Sequence, residues 1–151
     1  MTERPWYQAA GVPGLMRVAR GAYSSVIHAA LVEADFEDLP RNGAFVLAWL
    51  VHSGSVRDMS RWLGISKQAV SQLIDTMVMR GYLQRAVDPV DRRRMLVTPT
   101  ERGKAAETVV AEAADKIDEE LESRLGADGL AALRVGLLAL ADLGAAQHEP
   151  H

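Results

Sequence analysis

The sequence predicts a mainly α-helical chain carrying one short β-hairpin, and three observations predict it. Apolar residues recur at helical spacing along most of the 151 residues. Two short apolar runs, Gly81-Tyr82-Leu83 and Met95-Leu96-Val97, bracket a link, Asp88 to Arg94, that is too rich in charge and proline to be core. Just upstream, Ile65 to Met77 reads as an amphipathic helix with a polar, hydrogen-bonding N-terminal end. A helix able to enter a major groove, followed by an arginine-tipped hairpin, is the layout of a winged helix-turn-helix.

The elements follow in order. Residues 1–11 read as an irregular arm, with Pro5, Trp6 and Gly11 as breakers. From Val12 to Glu33, Leu15, Val18, Ala19, Ala22, Val26, Ile27, Ala30 and Leu31 recur with helical period. The acidic turn Glu33–Asp38 ends that helix. Pro40 suits the first turn of a second helix, running through Phe45, Val46, Trp49 and Leu50 to His52 and closed by a Ser53-Gly54 turn. Ser55 with Asp58 three residues on resembles a capping box, so a third helix is expected from Ser55. It should carry Met59, Trp62 and Leu63 inward and stop at Gly64. Ser66 caps a fourth helix to about Met79, with Gly81 as terminator. Strands are expected at Leu83–Val87 and Met95–Thr98.

Thr100 caps a long helix from Glu101 to about Leu125, with Ala106, Val109, Val110, Ala113, Ile117 and Leu121 on one face. Gly126 breaks it. The last helix, Asp128 to about Leu143, is apolar on most sides through Leu130, Leu133, Val135, Leu137, Leu138, Leu140 and Leu143. A helix that apolar must be buried nearly all round, and one small chain offers little room for it. The expected division is a single domain over 1–151. Residues 39–100 form a winged lobe, and helices at 12–34 and 101–145 form a dimer interface. The tail from Ala145 to His151 should fray.

Charge is distributed unevenly. The chain carries −3 overall, yet Arg57 to Lys104 holds ten basic and five acidic residues, a local +5. The remaining seven basic and fifteen acidic residues make the flanks −8. A basic middle between acidic flanks is what one phosphate-facing segment produces. There are no cysteines, which excludes disulfides, thiolate metal sites and cysteine redox sensing in this chain. The N-terminal MTERPWYQ lacks an apolar signal core and no apolar run is long enough to span a bilayer, so a cytoplasmic protein is expected.

In a helix-turn-helix the N-terminal residues of the second helix touch base edges. Here these are Ser66, Lys67, Gln68, Ser71 and Gln72, with Asp75 further along. Gln pairs with adenine through two hydrogen bonds, Lys donates to guanine or phosphate, and Ser does either. Ala69, Val70, Leu73, Ile74 and Met77 fall on the opposite, core-facing side. Arg92, Arg93 and Arg94 form a cationic wing tip suited to a narrow minor groove. Strand alternation would send Arg92 and Arg94 to one side and Arg93 to the other, with Asp91 pairing one of them.

Residues 55–103 resemble the MarR family of bacterial transcription regulators. The resemblance rests on the helix pair, Gly81-Tyr82-Leu83-Gln84-Arg85, the D-x-R-R run Asp91 to Arg94, and the run Val97 to Gly103, which opens Val-Thr and closes on T-x-x-G at Thr100 to Gly103. Pro99 departs from the leucine common there, and residues 1–11 carry no family signal. The resemblance implies a homodimer with a winged helix in each subunit, a dimer domain from the first and last two helices, and autoregulatory repression relieved by a ligand. It also implies a site for a small aromatic acid or phenol between dimer domain and DNA-binding lobe. Trp6, Tyr7, Arg17, Tyr23, His28, Trp49 and His52 are candidates for that site. Trp49 and Trp62 also fit apolar stripes. No cofactor is expected, and His28 and His52 make a poor zinc signature without further ligands. No nucleophile elbow, phosphate-binding glycine loop or metal spacing points to catalysis. The rival reading is a dimeric ligand-binding or protein-interaction module that keeps the fold without specific DNA binding.

Overall fold

The computed structural model describes residues 5–53 and 55–146, with side chains to residue 144. Residues 1–4 of the arm, Gly54 of the Ser53-Gly54 turn and the end of the tail with His148 and His151 lie outside the described residues. After a short 3-10 helix, Trp6–Ala9, come α1 (Val12–Glu33), α2 (Gly43–Ser53), α3 (Met59–Leu63) and α4 (Lys67–Met79). Strands β1 (Leu83–Val87) and β2 (Met95–Pro99) follow, then α5 (Glu101–Ala146). The fold is mainly helical with a two-stranded antiparallel sheet, as the sequence predicts. No helix among the described residues is long and apolar enough to cross a membrane.

The described residues up to Ala113 form one compact unit and those from Ala114 onward another. The first unit closes a core around Leu31 of α1, Val46, Leu47 and Leu50 of α2, and Met59 of α3. Val70, Ile74 and Met77 of α4, Tyr82, Leu83 of β1, and Ala106 and Val110 of α5 complete it. Helix α1 joins this core at its C-terminal end. Leu15 and Val26 on the same helix remain 43% and 42% exposed.

Two helix starts differ from the sequence expectation, for the same reason. Asn42, at φ +68°, and Asp58, at φ +65°, both take left-handed backbone immediately before a helix. Pro40 therefore sits in a preceding turn, its carbonyl accepting Gly43 N–H at 2.7 Å, and α2 starts at Gly43. Ser55 does not cap α3. Its Oγ accepts Arg57 N–H at 3.1 Å in a local turn, and α3 begins only at Met59. Met59 is fully buried as expected, whereas Trp62 is 48% exposed.

The other signals fall where expected. Ser66 Oγ accepts Ala69 N–H at 3.0 Å, capping α4. Thr100 Oγ1 accepts Gly103 N–H at 3.0 Å at the start of α5. The hairpin pairs Leu83 with Pro99 through to Val87 with Met95, so β2 runs one residue past Thr98. A proline is tolerated there because the sheet has only two strands, both edges. Gly126 interrupts α5 at φ 76°, ψ 165°, a backbone region essentially reserved for glycine.

Within the second unit, Arg124 pairs with Glu120 one turn earlier at 2.7 Å. Its leucines do not close a core. Val135, Leu138 and Leu143 are each more than 60% exposed.

Candidate nucleic-acid interface

Helix α4 is sharply two-sided. Val70, Ile74 and Met77 are buried, with Ala69 and Leu73 half-buried beside them. Ser66, Lys67, Gln68, Ser71, Gln72 and Asp75 are all exposed. The 3.6-residue period separates the two sets, so burying the first fixes the second outward. Gly64 reverses the chain between α3 and α4 at φ +66°, where its amide meets the carbonyls of Ser60 and Arg61.

The wing stands beside this helix and is tied to it. Arg85 of β1 is ion-paired with Asp75 of α4. Asp75 is thus committed to holding the wing base against the helix. An open groove of about 840 Å³ lies between α3, α4 and β2. Arg57, Arg61, Lys67, Arg85 and Arg94 line it, against only Asp58 and Asp88. The lining of this groove therefore carries five cationic side chains and two carboxylates, with Arg85 of the five paired to Asp75.

The wing tip departs from the simple hairpin picture. Arg92 to Arg94 lie in the turn between the strands, so strand alternation does not set their directions. Asp91 does not serve as an arginine's ionic partner. Its Oδ1 accepts the backbone N–H of Arg93 at 3.1 Å. Asp88 Oδ1 accepts Val90 N–H at 2.8 Å and Asp91 N–H at 3.3 Å. Arg94 N–H reaches the Asp91 carbonyl, and Asp88 N–H the Arg94 carbonyl, each at 2.9 Å. Both acidic side chains therefore shape the turn, and no described carboxylate pairs with Arg92, Arg93 or Arg94.

One structural centre has no counterpart in the sequence reading. Asp38, in the turn before α2, accepts the Tyr82 hydroxyl and the Arg102 guanidinium, the latter at 2.9 Å. The Arg102 guanidinium lies 4.2 Å over the Tyr82 ring and also donates to the Arg80 carbonyl. Tyr82 donation, with help from Arg102, holds the Asp38 carboxyl below its ordinary value. Burial, then the hydrogen bond to Asp38, pushes the Tyr82 hydroxyl up to about 12. This centre joins the start of α2, the end of α4, the root of the wing and the start of α5. Gly103 makes it possible: a Cβ there would stand 2.1 Å from the Tyr82 carbonyl oxygen. The run Val97 to Gly103 carried that signal, since a glycine inside a helix's first turn asks for a reason.

The candidate ligand residues are more scattered. Tyr7 lies on the 3-10 helix, edge-on to Trp6 with ring centroids 6.0 Å apart. Arg17, Tyr23 and His28 follow along α1, and Trp49 and His52 lie on α2. Arg17 and His28 are eleven positions apart, about 16 Å of helix, so one small molecule does not bridge them within a chain. Trp49 Nε1 donates to the Ser55 carbonyl at 2.7 Å, and its ring sits between Phe45 and Trp62. His52 Nδ1 lies 2.7 Å from the Ala48 carbonyl. Among the described residues no group of three or more His, Cys, Asp or Glu could hold a metal ion.

The MarR family model matches residues 37–94, from Glu37 beside Asp38 to the last wing arginine. No curated protein matches the sequence. Solved structures do. The PcaV transcriptional regulator from Streptomyces coelicolor, in complex with its natural ligand, is 20% identical. It covers 94% of this chain and 98% of its own, with a TM-score of 0.66. Bordetella bronchiseptica BpsR, whose DNA binding is regulated by 6-hydroxynicotinic acid, is 24% identical over 92% and 99%, with a TM-score of 0.67. The S. aureus MepR–DNA complex is 17% identical over 87% and 95%, with a TM-score of 0.69. The chain is therefore similar to the MarR family over its winged-helix segment, residues 37–94, and shares the fold of these regulators along most of its length.

Proposed function

We propose that the protein is a sequence-specific, double-stranded DNA-binding transcription regulator. It works as a homodimeric repressor released by a small aromatic or phenolic ligand. The observation that carries the DNA reading is one exposed surface. On it the polar end of α4, with Lys67, Gln68, Ser71 and Gln72, stands beside a wing whose Arg92, Arg93 and Arg94 have no described carboxylate partner. Gln68 and Gln72 suit adenine edges in the major groove, and the arginines suit the flanking minor groove. The MepR–DNA complex, with the same fold, supports this reading.

The dimer is supported by the exposed aliphatic side chains of α5 beyond Gly126, from Leu133 to Leu143. The effector is supported by the ligand-linked relatives PcaV and BpsR. Tyr7, Arg17, Tyr23, His28, Trp49 and His52 remain its candidate contacts, drawn from both subunits of a dimer, since one chain does not gather them. A two-fold dimer places its recognition helices about one turn apart, so half-sites should be centred roughly 10 bp apart or a small multiple of that.

Selection of bound sequences from a random duplex library tests the reading directly. An inverted repeat is the expected product. An asymmetric site would overturn the symmetric dimer. Failure to retain any duplex would favour a ligand-binding or protein-interaction module that keeps the fold without reading DNA.

A further inference from the structure

The wing carries a second kind of chemistry besides its arginines. Val90 is 94% exposed, the most exposed large hydrophobic side chain among the described residues. It follows Pro89 and precedes Asp91 and the three arginines. Behind it, Val87 and Met95 form the last cross-strand pair of the hairpin and are 54% and 57% exposed. Cross-strand partners share a face of a hairpin, so these two side chains are apolar neighbours at the tip end of the strands.

A single exposed valine on a surface needs no explanation. This one is different because of how it is held. Asp88 Oδ1 fixes the backbone N–H groups of Val90 and Asp91, and Asp91 Oδ1 fixes that of Arg93. The turn is thereby held on both sides of Val90, and neither carboxylate is ion-paired with a wing arginine. A rigid tip that presents one apolar side chain amid unpaired cations matches one partner surface well. The DNA minor groove has phosphate along its edges and deoxyribose C–H groups along its walls, and architectural proteins do place apolar side chains in it, as wedges between base steps.

We propose that Val90 is a DNA-contacting residue that packs against the sugar walls of the minor groove, supplying apolar contact where the arginines supply charge. This rests on the DNA-binding reading above. The contact releases no counterions, so its signature differs from that of a phosphate contact. It also depends on a groove narrow and smooth enough to accept the side chain. A guanine amino group on the groove floor, present in G·C and absent from A·T, obstructs it.

The test uses the full chain and the duplex site that the selection experiment returns. Val90→Thr keeps the shape and exchanges one methyl for a hydroxyl, and Val90→Ala removes the contact. Both should bind about three- to tenfold more weakly than wild type, with the slope of log affinity against log salt unchanged. Wild type should also lose affinity when the flanking A·T pairs become G·C but not when they become inosine·C, which lacks the amino group. The Val90 variants should respond less to that exchange. Wild-type affinity in the Thr and Ala variants would overturn the proposal. A weakened affinity with a reduced salt slope would also overturn it, because the loss would then lie in displaced arginines. A wild-type protein that retains no duplex would instead overturn the DNA-binding reading itself, and that outcome is distinct because it precedes any comparison of variants. Since the side chain is almost wholly solvated in the free protein, thermal midpoints should match wild type in both variants.

Discussion

The lobe from α2 to β2 and the end of α5 are built from the same kinds of residue and reach opposite outcomes. In the lobe Val46, Leu47, Met59, Met77, Tyr82 and Leu83 are each less than 2% exposed. In α5 beyond Gly126, Leu133, Leu137 and Leu140 are at least 40% exposed and Val135, Leu138 and Leu143 over 60%. The lobe has helices and a hairpin converging on one core, so each apolar face finds another. The last helical stretch has apolar residues on most of its circumference, and its own unit supplies no comparable cover. The contrast teaches that hydrophobic pattern dictates burial but not where the burying surface comes from. A closed core identifies a region that folds for itself. An open one identifies a region whose apolar face calls for a partner, which under the proposed function is a second copy of the chain.

The largest expected effect breaks the open side. Each large aliphatic side chain covered in a dimer contributes about 1.5–3 kcal/mol, and the last helix carries seven. Replacing Leu137 and Leu140 together with charged residues should unfold or aggregate the protein and yield no soluble folded monomer. Sedimentation and circular dichroism check this. A well-folded wild-type monomer at micromolar concentration would show that the exposed leucines need no partner, and the comparison would lose its meaning.

The next effect breaks the closed side. Gly103→Ala drives a methyl into the Tyr82 carbonyl, which already accepts Thr100 N–H at 3.0 Å. Backbone on both sides must shift, and a cost of about 3 kcal/mol or more is expected, at the severe end for a single methyl. Denaturant unfolding measures it. A variant as stable as wild type would mean that α5 and the wing root are free to slide apart.

Much of this was legible in advance, and what escaped has a common cause. The faces of α4 follow from a period of 3.6 residues, and the hairpin from two apolar runs around a polar link. The Ser66 and Thr100 caps follow from the chemistry of a hydroxyl before a helix. Each of these is local. Asp38 stands 44 positions from Tyr82 and 64 from Arg102, and no periodicity links residues so distant. The misplaced starts of α2 and α3 share another cause. Asn42 and Asp58 adopt left-handed backbone, which asparagine and aspartate tolerate but do not announce. At the wing, aspartate beside arginine suggests an ion pair, but both wing aspartates instead close the turn through backbone N–H groups.

Smaller effects sharpen the functional face of the closed lobe. Gln68→Ala should cost about 1–3 kcal/mol on the preferred site and little on unrelated duplex, the mark of a base contact. Arg93→Ala or Arg94→Ala should instead weaken binding across sequences. The magnitude of the salt slope should fall by roughly one for each phosphate left without its arginine, or about two per site if this happens in both subunits. Affinities for cognate and scrambled duplexes at several salt concentrations separate the two kinds of defect. Arginine variants that bind and discriminate like wild type would remove the wing from the interface.

The smallest effect probes how the closed core ends at its polar boundary. Tyr82→Phe keeps the buried ring under Arg102 and removes only the hydroxyl that Asp38 accepts. Asp38 keeps Arg102 at 2.9 Å, so it is not orphaned, and the expected loss at neutral pH is about 1 kcal/mol. The pH dependence identifies the cause. With the Tyr82 hydroxyl raised to about 12, the unfolded chain ionises first as pH climbs past about 10. Unlike an ordinary carboxylate, this group is neutral when protonated, and its protonated form is the one the fold favours. The tyrosine's contribution is therefore fully present below about pH 10, where both states are protonated, and is lost as pH rises from about 10 to about 12, so stability falls by roughly 2–3 kcal/mol across that window. Phenylalanine has no such limb, so the two stability curves should close and cross in that window. Asp38 acts at the other end. Its depressed carboxyl contributes stability above its ordinary value near 3.8, and that contribution disappears as acid protonates it. In the variant this acid limb should be shallower, because the larger of the two hydrogen bonds favouring the carboxylate is gone. Parallel curves for the two proteins at both extremes would mean that Tyr82 and Asp38 titrate independently, leaving the boundary of the core held by Arg102 and Gly103 alone.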